Sequence, residues 1–271
     1  MPEIRLEEVR FAYPGGPDIY PEPGLTLSLD GGVVALVGEN GAGKTTMTKL
    51  LNGLLRPRRG AVTVAGVAVA GRSVASMARV VGYAFQNPDD QLFERAVSAE
   101  VGFGPRALGL TASDAAPAVR RALERCGLAG QEAVHPHDLS LPERKWVAIA
   151  SALAADPPVV VLDEPTLGQD QRSRERLAGL VRGLAGESRL VLVVTHDMDF
   201  VAETCPTTVV LTRGVVRHAG PTAAAFEDEA LVAEAGLRPP HVTRLARALG
   251  LGACVSEAGL LARWARAGRR G

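Results

Sequence analysis

The chain has 271 residues, a hydrophobic fraction of 46%, and 30 Lys+Arg against 30 Asp+Glu. That size allows one or two globular domains with a substantial core, and zero formal net charge is not the balance of a nucleic-acid-binding protein. The longest apolar runs, such as 190–194, fall far short of the ~20 residues a membrane helix needs, so the chain is not expected to span a membrane.

Residues 4–11 alternate in part and read as a strand ending near Tyr13, after which Pro14-Gly15-Gly16-Pro17 forces a turn. Tyr13 is a candidate to stack on a nucleotide base or, equally, an aromatic packed on the end of the sheet. Val33-Val34-Ala35-Leu36-Val37 is short, apolar and β-branched, and reads as a buried strand. It runs into Gly38-Glu39-Asn40-Gly41-Ala42-Gly43-Lys44-Thr45-Thr46, and residues 47–52 read as a helix. Strand, GxxxxGK[ST] and helix together make the context of a phosphate loop. Its glycines let successive backbone N–H groups turn toward phosphate oxygens, and the helix N-terminus adds partial positive charge. Lys44 can reach the β- and γ-phosphates, and the Thr45 hydroxyl can hold Mg²⁺.

Arg56-Pro57-Arg58-Arg59-Gly60 reads as a solvated basic turn, and residues 61–64 and 67–69 as a hairpin around Gly66. Residues 80–85 form another buried strand. It delivers Gln86 at its C-terminal end, where open α/β sheets place ligand groups. Residues 87–156 change character, with few β-branched runs and much Ala, Arg, Leu and Glu. Helical spacing at 118–126 and 146–155 marks an inserted helical subdomain. His135-Pro136-His137 in its last loop lacks a third ligand for a metal.

Val159-Val160-Val161-Leu162 is an apolar strand ending in Asp163-Glu164. A carboxylate pair there is costly unless it meets cations. The first acid suits Mg²⁺ and the second suits polarising an attacking water. Residues 190–194 form one more buried strand, ending in Thr195-His196-Asp197, where His196 is a candidate for the γ-phosphate. Residues 209–211 and 215–216 make a closing hairpin around Arg213-Gly214. Residues 221–271 form a helical tail whose end, with Arg263, Arg266, Arg269 and Arg270, is expected to be a solvated terminus. Cys126, Cys205 and Cys254 show no disulfide or metal spacing, which fits a reducing cytosol. Met1-Pro2-Glu3 lacks the features of a signal peptide.

The order of these parts resembles the nucleotide-binding subunits of ABC transporters over nearly the whole chain. In that family an N-terminal aromatic, Walker A, a glutamine loop, a signature, Walker B with a glutamate, a D-loop and a switch histidine follow in turn. Tyr13, 38–46, Gln86, 139–146, 159–164, Asp170 and His196 match them here. The resemblance implies a P-loop NTPase (RecA-like) α/β core with an antiparallel β-subdomain, an inserted helical subdomain at 87–156 and a helical C-terminal extension. It divides the chain into an ATP-binding domain at 1–220 and an extension at 221–271. It also implies ATP and Mg²⁺, with Thr45, Gln86 and Asp163 at the metal and Glu164, His196 and Gln86 in catalysis. Tyr13, the whole run 38–46, Ser140 and Asp170 would contact nucleotide.

Phe85-Gln86-Asn87-Pro88-Asp89-Asp90-Gln91-Leu92-Phe93, then Gly102-Phe103-Gly104-Pro105, is similar to energy-coupling-factor ATPases, as are Ala235-Gly236-Leu237-Arg238-Pro239-Pro240 and Val242-Thr243-Arg244-Leu245. Such subunits drive uptake of vitamins, vitamin precursors, nickel or cobalt from the cytoplasmic face of the membrane. Their partners are a second ATP-binding subunit, a transmembrane coupling protein and a substrate-binding membrane protein; nucleic acid is not expected. The family signature Leu-Ser-Gly-Gly-Gln reads Leu139-Ser140-Leu141-Pro142-Glu143 here, with Trp146 at the position of a family arginine. Pro142 has no N–H and Leu141 adds bulk, while Ser140 and Glu143 keep capping-box spacing. The expectation is a retained helix with a weakened grip on the partner subunit's phosphate, and a pairing with a different subunit whose signature is intact. A soluble ATP-gated switch of the DNA-repair or ribosome-associated kind, and a non-hydrolysing binding module, are the competing readings.

Overall fold

The structure, a computed structural model, describes residues 1–267. Arg269 and Arg270, expected to be solvated, lie outside the described residues. In chain order the elements begin with β1 (Glu3–Arg10), β2 (Leu25–Asp30), β3 (Gly32–Val37), α1 (Lys44–Leu51), β4 (Arg59–Val64), β5 (Val67–Ala68), α2 (Val74–Met77) and β6 (Val81–Ala84). The helical insertion holds α3 (Val97–Ala107), α4 (Ala112–Arg125) and α5 (Leu141–Leu153). Then come β7 (Val159–Asp163), α6 (Gln171–Gly186), β8 (Leu190–Val194), α7 (Met198–Thr204), β9 (Thr207–Thr212) and β10 (Val215–Pro221). Four helices close the chain: α8 (Thr222–Glu227), α9 (Glu229–Glu234), α10 (His241–Ala248) and α11 (Glu257–Ala267).

Ten strands make two sheets among the described residues. The four-stranded sheet runs β2-β1-β4-β5, antiparallel throughout. The six-stranded sheet runs β10-β9-β3-β8-β7-β6, parallel except for the closing hairpin of β9 and β10. A parallel sheet covered on both faces needs apolar side chains on both, and every residue of β7 and β8 is buried. Alternate residues part to opposite faces. Val33, Ala35 and Val37 join a core with α5, α6 and α7, while Val34 and Leu36 join a second core with α1 and the antiparallel sheet.

The helical insertion is larger than periodicity predicts. α3 was hidden by Gly102, Gly104 and Pro105, all poor helix residues, while α5 opens at Leu141, behind the Ser140 and Glu143 capping box and ahead of the periodic run at 146–155. α1 likewise begins at Lys44, inside the glycine motif, where Gly43 with φ 100° supplies the left-handed turn. The boundary placed at 220 falls at the end of β10, yet Ala225, Phe226, Leu231 and Val232 of the first tail helices pack into the main core. Further along, the His241 backbone N–H donates to Asp199 Oδ1 at 2.6 Å, fastening α10 to α7. Two of the arginines expected to be solvated also make hydrogen bonds, Arg56 while remaining exposed. Arg56 donates to the carbonyls of Val69 and Arg72, and Arg263 donates to Leu251 O at 3.0 Å.

Candidate functional site

Adjacent parallel strands deliver the functional loops to one edge. β3 ends at the phosphate loop, β8 at Thr195-His196, β7 at Asp163-Glu164 and β6 one residue before Phe85-Gln86. They surround an open cleft of about 480 Å³ lined by Tyr13, residues 40–46, Gln86, Asp163, Glu164 and His196. Residues far apart in the chain meet there because sheet order, unlike sequence order, puts β8 between β3 and β7.

The loop is shaped for anions. Lys44 is buried, and its Nζ donates to Gly38 O at 2.7 Å and Glu39 O at 2.9 Å, which closes the backbone into a ring. A Cβ at Gly38 would come 2.0 Å from Leu211 O, so only glycine fits there. Burial holds the Lys44 ammonium below its ordinary value, with Glu164 and Asp163 opposing that shift. Gly38 and Glu39 therefore shape the loop through their carbonyls, whereas residues 40–46 face the cleft. Tyr13 packs on the sheet end and also lines the cleft. It packs edge-on against Phe11 at 4.9 Å, and its hydroxyl lies 3.2 Å from Thr46 Oγ1 at the cleft wall.

Asp163 is buried and Glu164 partly buried in the same cleft as Lys44. Desolvation raises the pKa of Asp163 despite the Tyr83 hydrogen bond, and it raises that of Glu164. The His196 backbone N–H donates to Glu164 Oε2 at 3.3 Å, and its Nε2 lies 3.5 Å from Oε1. Burial, then Lys44, lower the His196 pKa, which favours the neutral imidazole, with one ring nitrogen a donor and the other an acceptor. Glu164 itself stands at φ 48°, an unusual left-handed conformation for a side-chain-bearing residue.

Besides Gly38 and Glu39, two expected nucleotide contacts stand outside the cleft lining. Ser140 caps α5: its Oγ donates to Glu143 Oε2 at 2.6 Å and its N–H donates to the same oxygen at 2.9 Å. Asp170 caps α6 by accepting from Ser173 N–H at 2.8 Å. His135 Nδ1 accepts from the His137 backbone N–H, and among the described residues no group of three His, Cys, Asp or Glu could hold a metal.

Three residues around the cleft had escaped the sequence reading. Tyr20 is fully buried and donates to Gly43 O at 2.9 Å. Tyr83 bridges Thr48 and Asp163, at 2.9 Å each. Lys145 donates to Glu164 O at 2.8 Å. Signals existed for the last two: a tyrosine in an otherwise apolar strand, and a lysine at the start of the apolar helical run 146–155.

The donor set fits MgATP. Thr45, Gln86 and Asp163 offer hard oxygens on shared walls of the cleft, and magnesium prefers one or two carboxylates plus substrate phosphate oxygens. When bound, Mg²⁺ neutralises developing phosphate charge. Fold and cleft together define a phosphate-loop NTPase. The sequence profile described as ABC transporter matches residues 24–167. A protein of Pyrococcus furiosus, provisionally assigned as an ABC transporter ATP-binding protein, is 40% identical over 92% of this chain and 94% of its own. One of Streptomyces avermitilis, with the same provisional assignment, is 42% identical over 85% and 87%. Among solved structures, cbiO1 from Clostridium perfringens, part of the ABC transporter complex cbiONQ, superposes with TM-score 0.75 at 29% identity, covering 90% of this chain and 98% of that one. The dimeric ATP-binding cassette MJ0796, bound to ADP and Pi in a post-hydrolysis state, shares the fold at TM-score 0.72 and 22% identity, over 81% and 98%. The chain belongs to the ABC transporter ATP-binding family; it is an ATPase that uses ATP with Mg²⁺.

Proposed function

We propose that this ATPase energises an importer of the energy-coupling-factor type. It would act on the cytoplasmic membrane face beside a second ATP-binding subunit, a transmembrane coupling protein and a substrate-binding membrane protein. The observation that carries this reading is the end-to-end likeness to a subunit of cbiONQ. Among the described residues no helix is long and apolar enough to cross a membrane, so a partner would have to supply that part.

Thr45, Gln86 and Asp163 would hold Mg²⁺, and Lys44 with the loop N–H groups would hold the phosphates. Glu164 would orient and deprotonate the attacking water, with His196 at the γ-phosphate end. A second cleft supports coupling to a membrane partner. A groove of about 380 Å³ runs between β6 and the helical insertion, with Phe85, Phe93 and Phe103 on its walls. Phe93 is 61% exposed and stacks edge-on against Phe103, an unusual outlay of aromatic surface. Phe85 lines this groove while the next residue, Gln86, lines the phosphate-loop cleft, so one backbone step links the two.

A second reading concerns the pairing. The Ser140 hydroxyl is already occupied by Glu143, and Pro142 offers no N–H. This supports a partner of different sequence that brings an intact signature to the Walker side of this chain.

Tagged chain, recovered from detergent-solubilised membranes of its own cells, should bring down an integral membrane protein. The double change Phe93→Glu and Phe103→Glu should lose that protein and keep MgATP binding. Recovery with ribosomes, RNA or DNA in place of a membrane protein would contradict the transporter reading.

A further inference from the structure

Lys145 sits in the second turn of α5, the helix opened by Ser140, and is only 4% exposed. Lysine is rarely buried so deeply without a specific partner. Its Nζ reaches across to the strand β7 and donates to Glu164 O at 2.8 Å. The backbone it grips is the one at φ 48°, a conformation that persists only where surroundings hold it. That backbone aims the Glu164 carboxylate at the His196 N–H. A second, longer contact runs alongside: Gln169 Nε2 donates to Pro142 O at 3.4 Å. The start of α5 and the turn after β7 are thus joined at Glu164 and again further along the turn at Gln169. The same ammonium is a buried cation facing the Asp163 and Glu164 carboxylates.

We propose that Lys145 is a positioning residue for ATP hydrolysis, holding the left-handed turn at Glu164 and tying its carboxylate to the signature helix α5. This rests on Glu164 being the group that polarises the water. Lys145 acts through that main chain and touches no substrate. Movement of α5, which carries the signature, would be felt directly at the water-polarising carboxylate. Loss of the tether would leave the phosphate loop intact and slacken only the base.

The test compares Lys145→Met, which removes charge and donor at similar length, with Glu164→Gln and the double variant, using purified full chain and MgATP. Lys145→Met should lower kcat by about tenfold to a hundredfold, the loss that a small misplacement brings, with KM and Tm near wild type. Lys145→Arg, which keeps charge and donors, should recover most of it. The double variant should be no slower than Glu164→Gln alone, because both changes strike the same group. Wild-type kcat in Lys145→Met, or losses that multiply in the double variant, overturns the proposal. Should Lys145→Met not fold, Lys145→Gln decides the matter, with a lowered kcat supporting the proposal and a wild-type value overturning it. If Glu164→Gln hydrolyses ATP undiminished, the failed reading is that of Glu164 itself, seen separately from any result at Lys145.

Discussion

The phenol of Tyr83 donates a hydrogen bond to Asp163 Oδ2 at 2.9 Å across 80 positions of sequence. The same hydroxyl meets Thr48 Oγ1, one turn after Thr45 in α1. Strand β6, strand β7 and the phosphate-loop helix are thereby joined through one oxygen at the proposed metal end of the cleft.

Tyr83→Phe should therefore destabilise the chain at neutral pH. The bond is to a buried carboxylate, and such bonds contribute about 1.5–3 kcal/mol. It also holds down an Asp163 pKa that burial raises, so its loss raises that pKa further. The penalty falls on the ionised form, and the deficit in Tm should shrink as pH drops and Asp163 takes up its proton. Thermal scans from pH 4 to 8 check this; a constant deficit across that range contradicts it.

Glu164→Gln should raise the Tm of the nucleotide-free chain at pH 7.5 while suppressing turnover. Burial lifts the Glu164 pKa above its ordinary 4.5, so in the window above 4.5 the folded chain holds a proton that the unfolded chain has lost. Stability then falls as pH rises through that window and stays reduced above it. Glutamine removes the cost, and the two melting curves should converge below pH 4.5. Equal Tm at pH 7.5 would speak against an ionised buried carboxylate.

The double change Leu141→Gly and Pro142→Gly should raise ATP turnover and lower Tm. It restores the one backbone N–H that Pro142 lacks and the close approach that Leu141 blocks, but it loosens the first turn of α5. Each glycine costs about 1 kcal/mol in a helix. Steady-state hydrolysis beside calorimetry measures both, and unchanged turnover argues against a weakened signature.

Tyr20→Phe should cost about 0.5–1.5 kcal/mol by removing the phenol from the Gly43 carbonyl, which keeps the Met47 N–H at 2.9 Å. Because that carbonyl opens α1, MgATP affinity should fall with stability. Isothermal titration separates this from Tyr83→Phe; unaltered affinity would mean the loop keeps its shape without the phenol.

Much of this was legible in the chain. β3, β6, β7 and β8 are continuous apolar runs, and each ends in polar residues whose type announced phosphate, metal or water chemistry. β2 was missed although Leu25, Leu27 and Leu29 alternate cleanly with polar residues. α6 was missed although Leu177, Val181 and Leu184 keep helical spacing behind the Asp170 cap. α3 carried no such signal, since Gly102, Gly104 and Pro105 all weigh against a helix and only tertiary packing overrides them. Tyr20 carried no signal, and Tyr83 and Lys145 stood out only by residue type; the partner of each appears only when distant elements pack. Ser140 shows the converse. Its capping role was readable locally, and the structure spends its hydroxyl there.

The most direct single measurement is MgATP hydrolysis by the purified chain against its own concentration, with Glu164→Gln alongside. The account predicts slow turnover that requires Mg²⁺ and stays slow as concentration rises, because the Leu141-Pro142 signature grips a second copy's phosphate poorly, and ATP binding without turnover in Glu164→Gln. Full turnover in Glu164→Gln, or hydrolysis indifferent to Mg²⁺, would contradict it.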